Sequence, residues 1–285
     1  MSELLPMPDR DRDLAKPDRG GTTEFVRSYY TEQADACGSS PQSTMPDEVV
    51  RAIELSAIRE FMDGLAADGQ YRRVLEIGCG NGYLLSQLTE WFGDRFSFVG
   101  VDATPDMIAL SRERGLPWQF VLASVTALDF PDGYFDAVIS ERVLINLLSE
   151  EEQIRSFTEL GRVVRTGGVA LLVEGFRSGL DNLNRAREEF LLPPIPEPDV
   201  NFWFTEERWR ACLGTCWSEL PGQALSVKTP ENFLSSHYFM TRFFHDVIRP
   251  EGGKLRNTEF ARFFATALPP VGDYSPLRLK LLRRQ

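Results

Sequence analysis

The segment from Val74 to Leu85, VLEIGCGNGYLL, constrains this chain more than any other twelve residues, because an apolar run breaks into a turn with glycine at every second position. Gly78, Gly80 and Gly82 set that step, and Glu76 stands two residues ahead of the first. Glycine takes positive φ without a Cβ penalty and lets a ligand approach the backbone, and a helix opening after such a turn offers unpaired N–H groups. The pattern predicts a strand, a ligand-holding loop and a helix in succession. A second apolar run, Phe96 to Val101, ends in Asp102, 24 residues after Gly78. An acid at the tip of the neighbouring strand suits a ribose diol.

The step departs from the dinucleotide fingerprint, whose third glycine follows the second by three residues. Here Gly82 follows Gly80 by two, and Tyr83 stands where the fingerprint has glycine. Acidic Glu76 would also repel a pyrophosphate. Both departures favour a cationic nucleoside over a nicotinamide dinucleotide. Glu-x-Gly-x-Gly-x-Gly followed by the acid of the next strand resembles motif I and the acidic loop of class I S-adenosylmethionine (SAM) dependent methyltransferases.

The bulk properties narrow the partners. A chain of 285 residues suits one α/β core with a cap better than two independent domains. Its formal net charge of −11 argues against nucleic acid, whose binding relies on Lys and Arg at phosphates. Cys37, Cys79, Cys212 and Cys216 lack metal-ligand spacing with histidine and read as free thiols of a cytoplasmic protein, with no metal site expected. No apolar run approaches a membrane span, so a soluble chain is expected, monomeric or homodimeric.

Residues 1–22, rich in Asp, Arg and Pro, read as a flexible tail, and 23–70 as N-terminal lid helices. From Asp47 to Leu65 the apolar positions Val50, Ile53, Ala57, Phe61 and Leu65 recur at helical spacing. Strands are then predicted at 74–77, 96–101, 119–123, 137–140 and 169–174. Helices are predicted at 82–91, 104–114 and 150–164, with Gly167 and Gly168 as the stop of the last. This alternation makes an α/β fold, a doubly wound and mostly parallel sheet. A sixth strand is placed at Ala224 to Lys228. Leu277, Leu279 and Leu281, alternating with Arg278 and Lys280, read as an edge strand with one wet face. Residues 71–285 thus form the main domain, with cap insertions at 175–222 and 229–270. The first includes a helix from Leu180 to Phe190, the run PPIPEPD and the aromatic patch at Asn201 to Phe204; the second holds both histidines, His237 and His245.

The resemblance implies seven strands, the last antiparallel, and SAM as methyl donor. With ERVLINL, LVEGF, GLDNLNRAREEFLLPPIP and NFWF it extends over roughly residues 44 to 280 and is similar to a group of bacterial small-molecule methyltransferases. By that resemblance Glu76 orders the loop and the methionine amino end. Gly78, Cys79 and Gly80 put backbone beside the donor, and Asp102 accepts both ribose hydroxyls. Ala103 and Met107 flank the adenine, Met107 being equally readable as a buried helix residue, and Ser124 or the Val125 backbone reads adenine N6. Glu141 and Arg142 line the methionine end or, for Arg142, the acceptor. Tyr30 and Arg51 belong to a lid over the cofactor.

For proton transfer, His237 and Glu174 are the candidates, since imidazole titrates near neutrality and Glu174 ends the fifth strand. Asn146, Asn201, Trp203 and Tyr238 are the candidate acceptor contacts, the aromatic patch favouring an acceptor with an apolar or planar part. The expected reaction is in-line methyl transfer to O or N of a small molecule. Carboxyl methylation of a peptide-like acceptor and a non-catalytic SAM-binding subunit stay open as alternatives.

Overall fold

The computed structural model describes residues 22–43, 45–249 and 258–285. The expected tail, apart from Thr22, lies outside these residues, as does Thr44 of the lid segment.

Seven strands, β1 (Arg73–Ile77), β2 (Ser97–Asp102), β3 (Gln119–Leu122), β4 (Phe135–Glu141), β5 (Val164–Gly175), β6 (Trp217–Glu219) and β7 (Leu277–Arg284), form one sheet. The order is β3-β2-β1-β4-β5-β7-β6, parallel from β3 through β5, with β7 antiparallel to both neighbours. The interior strands are apolar on both faces because helices cover both, as parallel sheets require. One face packs α2 (Glu48–Asp68) and α3 (Tyr83–Phe92); the other packs α5 (Glu150–Val163) and α7 (Glu206–Leu213).

The N-terminal lid consists of α1 (Thr22–Cys37), a 3-10 turn at Pro41–Ser43, and α2. The Asp47 side chain caps α2 by accepting from the Val49 and Val50 N–H groups, and Gly69 closes it in the left-handed conformation. Beyond β2 runs α4 (Pro105–Glu113), and beyond β5 runs α6 (Arg177–Glu189). In the C-terminal cap, α8 (Ser235–Phe239) passes through a π-helical stretch into α9 (His245–Ile248), and α10 (Glu259–Ala267) precedes β7.

Three sequence expectations are corrected. The sixth strand is Trp217–Glu219; within the expected 224–228 span, Ala224 and Leu225 close a 3-10 turn that Pro221 introduces, with Leu225 and Val227 buried in the core under α2. The glycines at 167 and 168 do not stop α5. They lie inside β5, where the pairing with β4 shifts register, and Gly167 takes φ +76°. Nor is β7 a wet edge: β6 lies outside it, and Lys280 is buried between Glu219 at 3.0 Å and Glu231 at 2.7 Å. The alternation of Leu with basic residues thus reflects ion pairs under the cap.

Candidate functional site

In a doubly wound sheet the crevice opens at the carboxyl ends of the strands where the order reverses, here between β1 and β4. The glycine loop after β1 sits there. Gly78, Gly80 and Gly82 have φ of +64°, +51° and +75°. A Cβ at Gly78 would stand 2.2 Å from Val143 Cγ2, so both conformation and space demand glycine. Asp102 fastens the loop, one carboxylate oxygen accepting from the Gly80 N–H at 2.9 Å and the other from the Thr104 N–H at 2.8 Å. Burial raises its pKa and those bonds lower it, with a net rise.

The crevice holds a cavity of about 130 Å³. Of the residues predicted for the cofactor, Gly78, Gly80, Asp102, Ala103 and Met107 line it, as do Ser124, Val125, Glu141 and Tyr30. Arg142 and Asn146, predicted for the acceptor, line the same cavity. A smaller chamber adjoins it through Gly78, Glu141 and Arg142; there Glu76, Cys79 and Arg51 form the wall with Tyr83. Burial places the Cys79 thiol well above its ordinary range, which suits a wall residue and not a nucleophile.

Helix α1 borders this space through Val26, Arg27 and Tyr30. Tyr30 donates to Asn146 Oδ1 at 3.0 Å, and Thr31 donates to Asp106 Oδ2 of α4 at 2.8 Å. Asn146 in turn donates to the Val200 carbonyl and to Asn201 Oδ1, so lid, β4 exit and cap meet on one side chain.

The chamber holds two acids, Glu76 and Glu141, beside Arg51 and Arg142. Glu76 Oε2 and Glu141 Oε1 are buried oxygens without a hydrogen-bond partner. Burial above all, then the Glu141 and Asp102 charges, pushes the Glu76 carboxyl well up. The guanidinium of Arg142 pairs with the buried carboxylate of Glu54 on α2. Arg142 itself is a non-glycine residue at φ +59°, a conformation that costs on the order of 1–3 kcal/mol and persists only where surroundings impose it. Its N–H bond to the Val173 carbonyl at 2.7 Å is one such restraint.

Other predicted residues lie elsewhere. Glu174 is fully buried and accepts from the Ser140 hydroxyl at 2.8 Å and from the N–H groups of Val143, Leu144 and Ile145 at 3.2 Å each. It shapes the turn that carries Asn146 and does not line the cavity. Burial raises its carboxyl to about 7, even with those four bonds pulling the other way. His237 is also buried outside the lining, its Nε2 3.4 Å from Asp47 Oδ2, an oxygen shared with Arg242 at 3.1 Å. Tyr238 lies beneath the Arg242 guanidinium at 3.9 Å. The Trp203 ring packs against Gly175 in the core, where a Cβ would meet it at 2.5 Å. Trp203 therefore joins Phe204 and Trp209 as cap core, not as acceptor wall. Asn201 reaches the site only through Asn146.

Two functional residues escaped the sequence reading. Asn81, fully buried between two loop glycines, donates to the Gly38 and Ser40 carbonyls and the Ser43 hydroxyl while accepting from the Tyr83 N–H. It staples the lid to the glycine loop. Glu54 carries the second role, and its signal was available: an acid four residues after Val50 interrupts the buried stripe of α2.

The site fits SAM by its donor and acceptor set. The unpartnered oxygens of Glu76 and Glu141 suit an ammonium, Asp102 suits a ribose diol, and Met107 with Val125 gives an apolar wall for a purine. Among the described residues no cluster of His, Cys, Asp and Glu suits a metal, and no helix is long and apolar enough to cross a membrane.

Comparison with known proteins agrees. Residues 74–168 match a family model described as a methyltransferase domain. Ubiquinone/menaquinone biosynthesis C-methyltransferases of Yersinia enterocolitica and Yersinia pestis are each 30% identical over 135 residues, covering 44% of this chain and 53% of theirs. The chain thus spans about half the length of the curated relatives it matches. Among solved structures, the plantazolicin methyltransferase BamL in complex with a triazolic desmethylPZN analog and SAH superposes with a TM-score of 0.54 at 14% identity, over 93% of this chain and 99% of that one. With the glycine loop, Asp102 and the sheet order, the match over residues 74–168 makes this segment similar to a class I S-adenosylmethionine-dependent methyltransferase domain.

Proposed function

We propose that this chain transfers a methyl group from SAM to an O or N atom of a small-molecule acceptor. The observation that supports the reading is the adjacency of two cavities: the acidic chamber at Glu76 shares Gly78, Glu141 and Arg142 with the cavity bordered by Asp102 and the polar pair Tyr30–Asn146. Bound there, SAM supplies a methyl on a cationic sulfur whose charge is lost on in-line displacement. The residues of the chain align and enclose; alignment of this kind is worth roughly 7–11 kcal/mol. Glu76, Glu141 and Arg51 would hold the methionine end, and Asp102, Met107, Ser124 and Val125 the nucleoside. Proton acceptance from a hydroxyl or amine falls to groups on the cavity, of which Glu141 keeps an unpartnered oxygen, and not to His237 or Glu174.

A carbon acceptor is the second reading, favoured by the named activity of the Yersinia relatives. Incubation with SAM carrying a 13C methyl and a panel of phenols, amines, carboxylic acids and quinols separates the two. An O-methyl or N-methyl carbon resonance in the product supports the first reading, and a C-methyl resonance supports the second.

A further inference from the structure

Glu54 is the feature that the cofactor reading alone does not explain. It is fully buried on α2, one oxygen paired with Arg142 and the other, Oε2, without a partner. A buried carboxylate in this state is costly, because desolvation is incompletely offset by a single ion pair. A polar or apolar residue would fill the position more cheaply, as Val50, Ala57 and Phe61 do along the same stripe.

Its effect is electrostatic. The walls of the two cavities, with Glu54 behind them, carry five acids, Glu54, Glu76, Glu141, Glu152 and Asp102, against three guanidinium groups, Arg27, Arg51 and Arg142. By pairing with Arg142, Glu54 takes up guanidinium charge that also bears on Glu141, which precedes it. Arg51 bears on Glu76. SAM carries a net charge one unit more positive than its demethylated product, the neutral thioether S-adenosylhomocysteine.

Resting on the cofactor reading above, we infer that Glu54 is a specificity-determining residue that sets the site's preference for the sulfonium donor over the thioether product. It acts through Arg142 and the shared field of the chamber, without touching the ligand. The groups that face it are Arg142 and Glu141 from the β4 exit, Arg51 one turn earlier on α2, and Tyr238 of α8. Burial, against the opposing Arg142 charge and with Glu141 adding to it, raises the Glu54 carboxyl to about 7. In the absence of a cationic ligand the cluster therefore takes up a proton near neutrality, and a sulfonium takes that proton's place.

The test compares the two ligands on the full chain by calorimetry. In Glu54→Gln, which keeps shape and removes charge, the ratio of SAM affinity to S-adenosylhomocysteine affinity falls about tenfold relative to the unmodified protein. Equal weakening of both ligands is the signature of a structural role only and overturns the inference. The unmodified protein gives a second reading that needs no variant. Titrations in two buffers of contrasting ionisation enthalpy should show SAM binding releasing roughly one proton more than S-adenosylhomocysteine binding at pH 6.5, with the difference vanishing above about pH 8.5. Identical proton counts for the two ligands overturn it. Failure of both ligands to bind at all overturns the cofactor reading itself, and this inference with it.

Discussion

The Tyr30 hydroxyl donates to Asn146 Oδ1 over 3.0 Å, joining residues 116 positions apart and closing α1 over the cavity. Tyr30→Phe removes this bond and keeps the ring. A neutral hydrogen bond contributes on the order of 1 kcal/mol, so SAM should dissociate about fivefold faster in stopped-flow measurements, with the Tm nearly unchanged. An unaltered dissociation rate would show that the lid does not gate the cofactor.

Asn81 makes a prediction about stability. Asn81→Ala strands the Gly38 and Ser40 carbonyls and the Ser43 hydroxyl that it serves. A cost of roughly 2–3 kcal/mol is expected in urea unfolding, with faster proteolysis confined to residues 22–43. Unchanged cleavage of that segment would contradict the staple.

The Asp47, His237 and Arg242 cluster ties the C-terminal cap to the start of α2. Burial raises the Asp47 carboxyl, but the His237 bond, the Arg242 and His237 charges and the Val50 N–H outweigh it and hold it well below the usual range. A depressed carboxyl stabilises the fold above its unfolded pKa and loses that contribution as pH falls through its folded pKa, so the cluster's effect should begin to decline below about pH 4 and be lost in stronger acid. His237→Ala should lower stability by about 2–4 kcal/mol at pH 7, through the void and the lost partner, and by less at pH 3. Turnover per folded molecule should be retained; a loss of turnover with SAM affinity and Tm intact would return His237 to the chemistry.

Glu54 and Glu174 predict the opposite slope. Both carboxyls are raised to about 7 from an ordinary value of 4.5, so the folded state binds their protons more tightly than the unfolded chain does. The stability they confer is present below about pH 4.5 and is lost as pH rises toward 7. Denaturant titrations of the ligand-free protein between pH 5 and 7.5 should show unfolding free energy falling over that window. Glu174→Gln should flatten the slope, because the amide does not titrate in this window.

How legible the site was depends on the range of its interactions. The glycine loop and Asp102 were readable because their requirements are local: positive φ at alternate positions and an acid at the end of the next strand. The parallel run of strands from β3 to β5 was readable in the alternation of strands and helices. The surroundings of Trp203 and His237 were not legible for a shared reason. Aromatic and imidazole groups suit a ligand wall and a core equally in sequence, and only the packing of Trp203 on Gly175 and of His237 on Asp47 decides between them. β7 looked like an edge because Arg278 and Lys280 find partners on distant segments, Glu206, Glu219 and Glu231. Asn81 was overlooked because its partners stand some forty residues earlier, in a stretch with no periodicity.

The claim that the glycine loop and Asp102 form a SAM site is tested most directly by equilibrium binding of SAM to the full chain and to Asp102→Ala. The unmodified protein should bind SAM saturably with one site. Asp102→Ala should bind it about 10- to 100-fold more weakly, through loss of a charged acceptor worth roughly 1.5–3 kcal/mol and of the anchor on the Gly80 N–H. Absence of binding, or equal affinity in the variant, would contradict the account.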